Sequence, residues 1–215
     1  MARLKVAALI SGRGSNLQAL IDAAADPTYP AEIVLVLSNN ADAYGLQRAS
    51  AAGIATLVID HRGKERPAFE AEIDAALRRN GVELICLAGF MRLLTAGFAE
   101  RWRDRILNIH PSLLPAFKGL HVHEQVLAAG ARFTGCTVHV VRPEMDAGPI
   151  IAQAAVPVAP DDTADSLAAR VLEAEHRLYP LALRLVAEGR AIVEGDLVRL
   201  ERVAAAETSL LNPTR

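Results

Sequence analysis

The sequence is poor in aromatic residues and in net charge. Aromatic side chains make up 4% of the 215 residues, so a core has to be built mainly from Ala, Val, Leu and Ile. Such a core is usual for a buried parallel sheet covered by helices. The 23 basic and 25 acidic residues leave a formal net charge of −2. This balance argues against a broad surface for DNA or bulk RNA, although it is compatible with a local anion site.

Cysteines and long apolar runs are also scarce. Cys86 and Cys136 both lie in apolar segments, which favours two reduced core cysteines over a disulfide or metal site. The apolar run at residues 6–11 is soon broken by glycine and is too short for a signal peptide. No stretch of about 18 apolar residues occurs, so no membrane span is predicted. We therefore expect a cytoplasmic protein with no membrane partner.

Short apolar runs alternate with amphipathic ones as far as Ile109. This alternation predicts an α/β fold made of βαβ units with a mostly parallel sheet. Right-handed crossovers then give a Rossmann-like sheet with helices on both faces. The predicted strands are residues 6–10, 33–37, 56–59, 84–88 and 106–109, and the predicted helices are residues 16–25, 44–52 and 66–79.

The pattern changes after Pro111. A long helix is predicted at residues 163–188, with capping residues just before it and a kink or break at Pro180. The other predicted elements are a helix at 122–129, antiparallel strands at 134–141 and 150–158, and a terminal hairpin at 191–203. We expect one domain, residues 1–203, followed by a loose tail, residues 204–215.

Residues 11–16, Ser-Gly-Arg-Gly-Ser-Asn, connect the first predicted strand to the first predicted helix. Glycines beside a helix N-terminus let backbone N–H groups approach a phosphate closely. A dinucleotide fits less well, because Leu17 replaces the third glycine of that fingerprint. The segment predicts a phosphate-monoester site, with a merely tight turn as the alternative. In this interpretation, a larger residue at Gly14 weakens phosphate binding while the fold survives.

Asn108 and His110 lie two residues apart on a predicted strand that ends at Pro111. Their side chains therefore share one face of the strand. An amide beside an imidazole can stabilise an oxyanion and move a proton. The alternative is a capped strand end with a structural histidine. Asp146, in a later loop, would orient and charge His110 if the two met, but an Asp near a Gly is also a common turn residue.

Three other polar segments have ordinary interpretations. His121 and His123 have no evident third metal ligand nearby, so we expect helix-start histidines and no metal. Glu175 and His176 are expected as an exposed pair on the long helix. Residues 88–94 either line a pocket for a flat ring or combine core residues with a surface arginine.

Four segments together resemble the phosphoribosylglycinamide formyltransferases, a family of folate-dependent enzymes of purine biosynthesis. The resemblance covers about residues 4–200. Its 108–115 block is typical of folate-dependent formyl transfer in general, whereas the 11–16 loop indicates the glycinamide ribonucleotide enzymes. The segments are residues 10–17, 88–91 (Ala-Gly-Phe-Met), 108–115 (Asn-Ile-His-Pro-Ser-Leu-Leu-Pro) and 146–149 (Asp-Ala-Gly-Pro).

The resemblance implies a substrate pair and a set of site residues. The formyl group of 10-formyltetrahydrofolate passes directly to the amine of glycinamide ribonucleotide through a tetrahedral oxyanion. The implied catalytic residues are Asn108, His110 and Asp146. Those implied for the ribonucleotide are Gly14, Ser15, Asn16 and Glu175, and those implied for the folate are Arg66, Met91, Arg92, Leu93, Leu94 and Asn108.

Two other formyl-folate enzymes are the alternatives. A methionyl-tRNA formyltransferase would carry a C-terminal tRNA-binding barrel, and a formyltetrahydrofolate hydrolase would carry an N-terminal regulatory domain. We expect neither domain in these 215 residues. The expected partners are therefore small-molecule substrates, without nucleic acid, and the chain is expected to be a monomer or homodimer.

Overall fold

The computed structural model describes residues 2–204, 210 and 212. The chain forms two compact units. The first unit runs to Asn108 and includes Val140–Pro143, and the second contains Ile109–His139 and the described residues from Glu144 onward. The predicted tail lies outside the described residues except at positions 204, 210 and 212. The single-domain assignment stays a prediction.

The first unit is an alternation of parallel strands and helices, as the sequence pattern predicts. Its strands are β1 (Leu4–Ile10), β2 (Ala31–Ser38), β3 (Thr56–Val58), β4 (Leu84–Leu87) and β5 (Ile106–His110), whose last two residues belong to the second unit. They are hydrogen-bonded in the order β3-β2-β1-β4-β5, and all four pairings are parallel. Strand order reverses beside β1, where open α/β sheets bind their ligands.

Helices of the first unit pack apolar side chains onto this sheet. They are α1 (Ser15–Ala24), α2 (Tyr44–Ala51), α3 (Arg66–Arg79) and α4 (Ala96–Arg101). Phe69 and Ile73 of α3 join Phe98 of α4 and Ile85 of β4 in one buried core. Helix α4 is absent from the sequence-based prediction, because six residues are too few for a helical period to be recognised.

The second unit contains the antiparallel part of the fold. Its strands β6 (Phe133–Val140), whose last residue belongs to the first unit, and β7 (Ile150–Pro157) pair antiparallel, as predicted. Strands β8 (Ala191–Glu194) and β9 (Leu197–Leu200) form the terminal hairpin. Its helices are α5 (Val122–Ala128) and α6 (Ala164–Ala187). The seven strands β1 to β7 form one mixed, mostly parallel sheet, which confirms the predicted fold class.

Of the predicted kink or break at Pro180, the break is wrong, because α6 continues through this residue; the kink stays a prediction. A proline inside a helix removes one backbone hydrogen bond and costs about 3 kcal/mol. The helix buries a long apolar face that includes Leu167, Val171, Leu178 and Leu183, and this packing outweighs the loss. Among the described residues, none of the helices has both the length and the apolar character that crossing a membrane requires.

Candidate active site

Residues 11–16 form one wall of a cavity at the carboxyl end of β1. The cavity has a volume of about 300 Å³ and is also lined by Ala88, Gly89 and Met91, just after β4. The structure therefore brings the predicted phosphate loop and the first part of the 88–94 segment to one cavity. Both segments belong to the first unit.

Gly14 is the residue that turns the loop into α1. Its backbone is left-handed, with φ 69° and ψ 35°, and it occupies the N-cap position. Among the described residues no side chain caps this helix start. An uncapped helix N-terminus presents backbone N–H groups and positive potential, which suits an anion.

Gly14 also lies against the backbone of α2. A Cβ on Gly14 would lie 2.7 Å from the Cα of Gly45. A larger residue at Gly14 therefore disturbs the packing of α1 against α2 and should lower stability, so the expectation that the fold survives this change stays a prediction. The close approach joins residues 31 positions apart, which no local pattern reveals.

Ser11 joins the two walls of the cavity. Its hydroxyl accepts a hydrogen bond from the backbone N of Met91 at 2.8 Å and donates one to Oδ1 of Asn39 at 2.6 Å. Its backbone N donates to the carbonyl of Gly89 at 3.1 Å. Ser11 and Asn39 are absent from the residues implied by resemblance, although Ser11 could have been noticed as the first polar residue after β1.

The residues implied for the folate have different surroundings. Met91 and Leu93 expose 72% and 61% of their surface, which leaves two large apolar side chains available to a flat ring. Arg92 is also exposed, and Arg66 is the exposed first residue of α3. Leu94 instead packs against the core of the first unit.

His110, at the end of β5, has both ring nitrogens directed at acceptors. Nε2 lies 2.9 Å from the carbonyl oxygen of Phe117, and Nδ1 lies 3.5 Å from Oδ2 of Asp146. Neither a carbonyl nor a carboxylate can donate a hydrogen bond. The surroundings of the ring at these two positions therefore consist of acceptors.

Asp146 is held by the backbone of the loop that follows β5. Its Oδ2 accepts a hydrogen bond from the backbone N of Gly119 at 2.9 Å. Its side chain is only 11% exposed, and its own backbone is left-handed with φ 51°. His110 and Asp146, both in the second unit, thus meet as the sequence-based hypothesis required.

His139 is a further imidazole beside Asp146. Its Nε2 lies 3.9 Å from Asp146 Oδ1, and its side chain is 3% exposed. His139 is absent from the site residues predicted from the sequence. Its position on β6 could have drawn attention, because a buried histidine needs polar neighbours.

Thr137 secures the loop between His110 and Phe117. Its hydroxyl donates to the carbonyl of Ser112 at 2.7 Å and accepts from the backbone N of Leu114 at 3.0 Å. Gln153 on β7 donates to the Leu114 carbonyl at 2.9 Å. These hydrogen bonds to β6 and β7 fix the loop that follows β5. The carbonyl group of Phe117, which faces Nε2 of His110, belongs to the same loop.

The remaining predicted residues are placed as follows. Asn108 is half-buried on β5. Glu175 is only 6% exposed, and His176 is half-buried, so the expected exposed pair is wrong. Both lie close to the apolar stripe of α6, where Ala174 and Leu178 are buried.

The two histidines near α5 differ in burial. His121 is exposed, and its Nδ1 lies 3.5 Å from Oε1 of Glu124. Burial lowers the pKa of His123, and the positive charge of His110 adds to that effect. In the part of the chain that the structure describes, no three His, Cys, Asp or Glu side chains are grouped to hold a metal ion.

The chain resembles known proteins over most of its length. The family described as "Formyl transferase" matches residues 4–183. "Phosphoribosylglycinamide formyltransferase" of Haemophilus influenzae is 41% identical over 209 residues, which covers 97% of this chain and 99% of that protein. "Trifunctional purine biosynthetic protein adenosine-3" of Gallus gallus is 57% identical over 188 residues, covering 87% of this chain.

The chain spans only 19% of the length of that trifunctional relative. Among solved structures, glycinamide ribonucleotide transformylase 1 from Symbiobacterium toebii has a TM-score of 0.89 and 48% sequence identity. The match covers 92% of this chain and 94% of that one. Fold and sequence therefore agree along nearly the whole chain.

Proposed function

Because the chain belongs to the formyl transferase family, we propose that it transfers the formyl group of 10-formyltetrahydrofolate to glycinamide ribonucleotide. The products are formylglycinamide ribonucleotide and tetrahydrofolate, a step of purine biosynthesis. One observation carries the proposal: the similarity to the Haemophilus influenzae phosphoribosylglycinamide formyltransferase extends over nearly all of both chains.

The reaction requires a transfer of a proton but no covalent enzyme intermediate. The substrate amine forms a bond to the formyl carbon, and a tetrahedral oxyanion results. The bond from this carbon to the folate N10 then breaks, and the proton lost by the amine ends on N10. The enzyme has to stabilise the oxyanion and carry that proton.

Asn108 and His110 are the proposed oxyanion donors. The Asn108 amide donates one hydrogen bond, and the His110 imidazolium adds a second together with its positive charge. The Asp146 carboxylate, 3.5 Å from the His110 ring, orients and charges that ring. Since Nε2 of His110 is directed at the Phe117 carbonyl, an oxyanion bound at Nε2 has to replace this carbonyl.

Each substrate has a proposed set of contacts. Gly14, Ser15 and Asn16 hold the ribonucleotide phosphate with backbone N–H groups and short polar side chains, and Glu175 contacts the ribose. Arg66, Met91, Arg92, Leu93 and Leu94 serve the folate, together with Asn108. The apolar exposure of Met91 and Leu93 supports this assignment, whereas Leu94 contributes mainly by supporting the segment from the core.

We also propose a compartment, an oligomeric state and the partners of the enzyme. The enzyme acts in the cytoplasm on small molecules, as a monomer or homodimer, without nucleic acid or membrane as partners. It uses the folate as a co-substrate, and none of the proposed steps involves a metal ion.

A formyl-transfer assay tests the proposal. Purified protein is incubated with 10-formyltetrahydrofolate and glycinamide ribonucleotide, and mass spectrometry follows the acceptor. We expect a mass increase of one formyl group and equimolar tetrahydrofolate. Formylation of methionyl-tRNA instead, or release of formate without any acceptor, would replace the proposal by one of the two alternatives.

A further inference from the structure

We propose that Arg48 on α2 is a positioning residue for the phosphate of the ribonucleotide, acting through the backbone of the 11–16 loop. This inference deepens the proposed function and rests on it for the identity of the phosphate. The observations that carry it are the hydrogen bonds from α2 to two carbonyl groups of that loop.

Three contacts hold the Arg48 guanidinium behind the loop. Its Nε donates to the carbonyl oxygen of Arg13 at 3.0 Å, and its Nη1 donates to Oε1 of Gln18 at 3.1 Å. The guanidinium carbon lies 4.9 Å from the centre of the Tyr44 ring, a cation–π distance. A side chain anchored in this way keeps one orientation.

Helix α2 holds a second carbonyl of the same loop. The backbone N of Gly45 donates to the carbonyl oxygen of Gly12 at 3.0 Å. Arg48 and Gly45 therefore turn two successive carbonyl groups, those of Gly12 and Arg13, toward α2.

The opposite sides of these two peptides face away from α2. In a trans peptide the N–H of one residue points opposite to the carbonyl of the residue before it. Both peptides are trans. The N–H groups of Arg13 and Gly14 consequently point away from α2, and these two residues also line the cavity of about 300 Å³, whereas Gly45 and Arg48 do not.

This geometry gives Arg48 two effects on an anion. It keeps the loop N–H groups directed at the phosphate before the ligand arrives, which removes the cost of ordering the loop on binding. It also places a positive charge behind the loop. Because the two donor atoms of Arg48 belong to a rigid fork, the substitution Arg48→Lys keeps the charge but loses the paired contacts.

Kinetics with matched variants test the proposal. Arg48→Lys and Arg48→Ala are compared with Arg79→Ala, which removes an exposed arginine at the end of α3. We expect both Arg48 variants to raise the KM for glycinamide ribonucleotide about tenfold or more. The kcat and the KM for the folate should change less than about twofold, and Arg79→Ala should match the parent protein.

A dephosphorylated substrate separates positioning from general damage. With the ribonucleoside in place of the ribonucleotide, Arg48→Lys should have the same kcat/KM as the parent protein. Equal losses with both substrates, an unchanged KM for the ribonucleotide, or a matching rise in the folate KM would each overturn the inference.

Calorimetric titration with inorganic phosphate makes the inference independent of turnover. We expect Arg48→Lys to weaken phosphate binding by a similar factor, with an unchanged melting temperature. If the parent protein binds phosphate in this Arg48-dependent way but transfers no formyl group, the proposed function fails and the inference stands. If the protein transfers the formyl group but Arg48→Lys binds phosphate as tightly as the parent protein, the proposed function stands and the inference fails.

Discussion

Helix α1 of the first unit and helix α6, the longest helix of the second unit, differ in how their N-termini are capped. Helix α1 of the first unit begins at Gly14, and no side chain of the described residues caps it. Helix α6 of the second unit begins at Thr163, whose side chain accepts from the backbone N of Ser166 while the Ser166 hydroxyl accepts from the backbone N of Thr163. Among the described residues, the first N–H groups of α1 therefore have no side-chain cap, whereas the start of α6 has one.

The two units also differ in the kind of polar group that their candidate sites use. In the first unit the candidate binding groups are backbone N–H groups, oriented by carbonyl contacts to α2. In the second unit the candidate catalytic groups are the side chains of His110 and Asp146, and His139 lies beside Asp146. Changes in the 11–16 loop should therefore act on substrate binding, changes at His110 or Asp146 should act on turnover, and changes at the start of α6 should act on stability alone.

The largest effect is expected from removing charge at Asp146. Asp146→Asn keeps the size of the side chain and an oxygen for the Gly119 N–H, but removes the negative charge 3.5 Å from His110. We expect kcat to fall by about two to four orders of magnitude, with much smaller changes in both KM values. Steady-state kinetics measure this, and Asp196→Asn in the exposed β8–β9 turn is the matched control. Near-normal turnover would make Asp146 only a turn residue.

The second prediction concerns the loop of the first unit. Gly14→Val places a β-branched residue at φ 69° and a Cβ 2.7 Å from Gly45 Cα. We expect the free energy of unfolding to fall by about 3 kcal/mol. The KM for the ribonucleotide should also rise more than the KM for the folate.

Gly12→Ala is the control for Gly14→Val, because a Cβ on Gly12 meets no atom of the described structure within 4 Å. Urea unfolding and steady-state kinetics measure the two effects. Equal destabilisation by the two substitutions would contradict the close approach between α1 and α2.

The third prediction concerns Asp162, which lies just before the capped N-terminus of α6 in the second unit. The side chain of Asp162 is 3% exposed and pairs with Arg170, whose Nη1 and Nη2 lie 2.7 Å and 2.5 Å from its two oxygens. Arg170, followed by Ser166 and the backbone N of Ala159, holds the pKa of this carboxyl well below its ordinary value. We expect Asp162→Asn to lower the free energy of unfolding by about 2 kcal/mol. This loss lies between those typical of breaking an exposed and a buried ion pair.

The pH dependence of this loss has a definite sign. A lowered pKa in the folded state means that the stabilisation is complete above the unfolded value of 3.8 and is lost as the pH falls toward the folded value. The difference between Asp162→Asn and the parent protein should thus be constant near neutral pH and shrink in acid. Thermal unfolding across pH measures it, with Asp161→Asn, an exposed neighbour, as the control. A difference that grows in acid would refute the assignment.

The smallest effect is expected at the cap of α6. Thr163→Ala removes the hydroxyl that accepts from the backbone N of Ser166 at 3.2 Å, and should cost about 1 kcal/mol of stability. Thr163→Ser retains the hydroxyl and should restore most of it. Kinetic constants of both variants should equal those of the parent protein, because this helix start has no proposed substrate contact. A raised KM in Thr163→Ala would remove the contrast between α1 and α6.

Local pattern is sufficient for most elements and for part of the site. Helix α3 is predicted with the bounds that the structure has, and β1 differs by two residues at its start. The phosphate loop and the pair of Asn108 and His110 follow from glycines beside a helix start and from alternation along a strand. The roles of Glu175 and of the folate residues come only from resemblance, because no local pattern distinguishes them.

The α/β alternation, the position of the glycine loop and the polar end of β5 can therefore be read from the order of the residues alone. These depend on periodicity and turn chemistry within a few residues. Only the tertiary structure brought Asp146 and His139 to one carboxylate–imidazole cluster and placed Arg48 behind the loop. Such contacts join residues far apart in the chain, and they are set by the packing of strands and helices, which a local pattern does not encode.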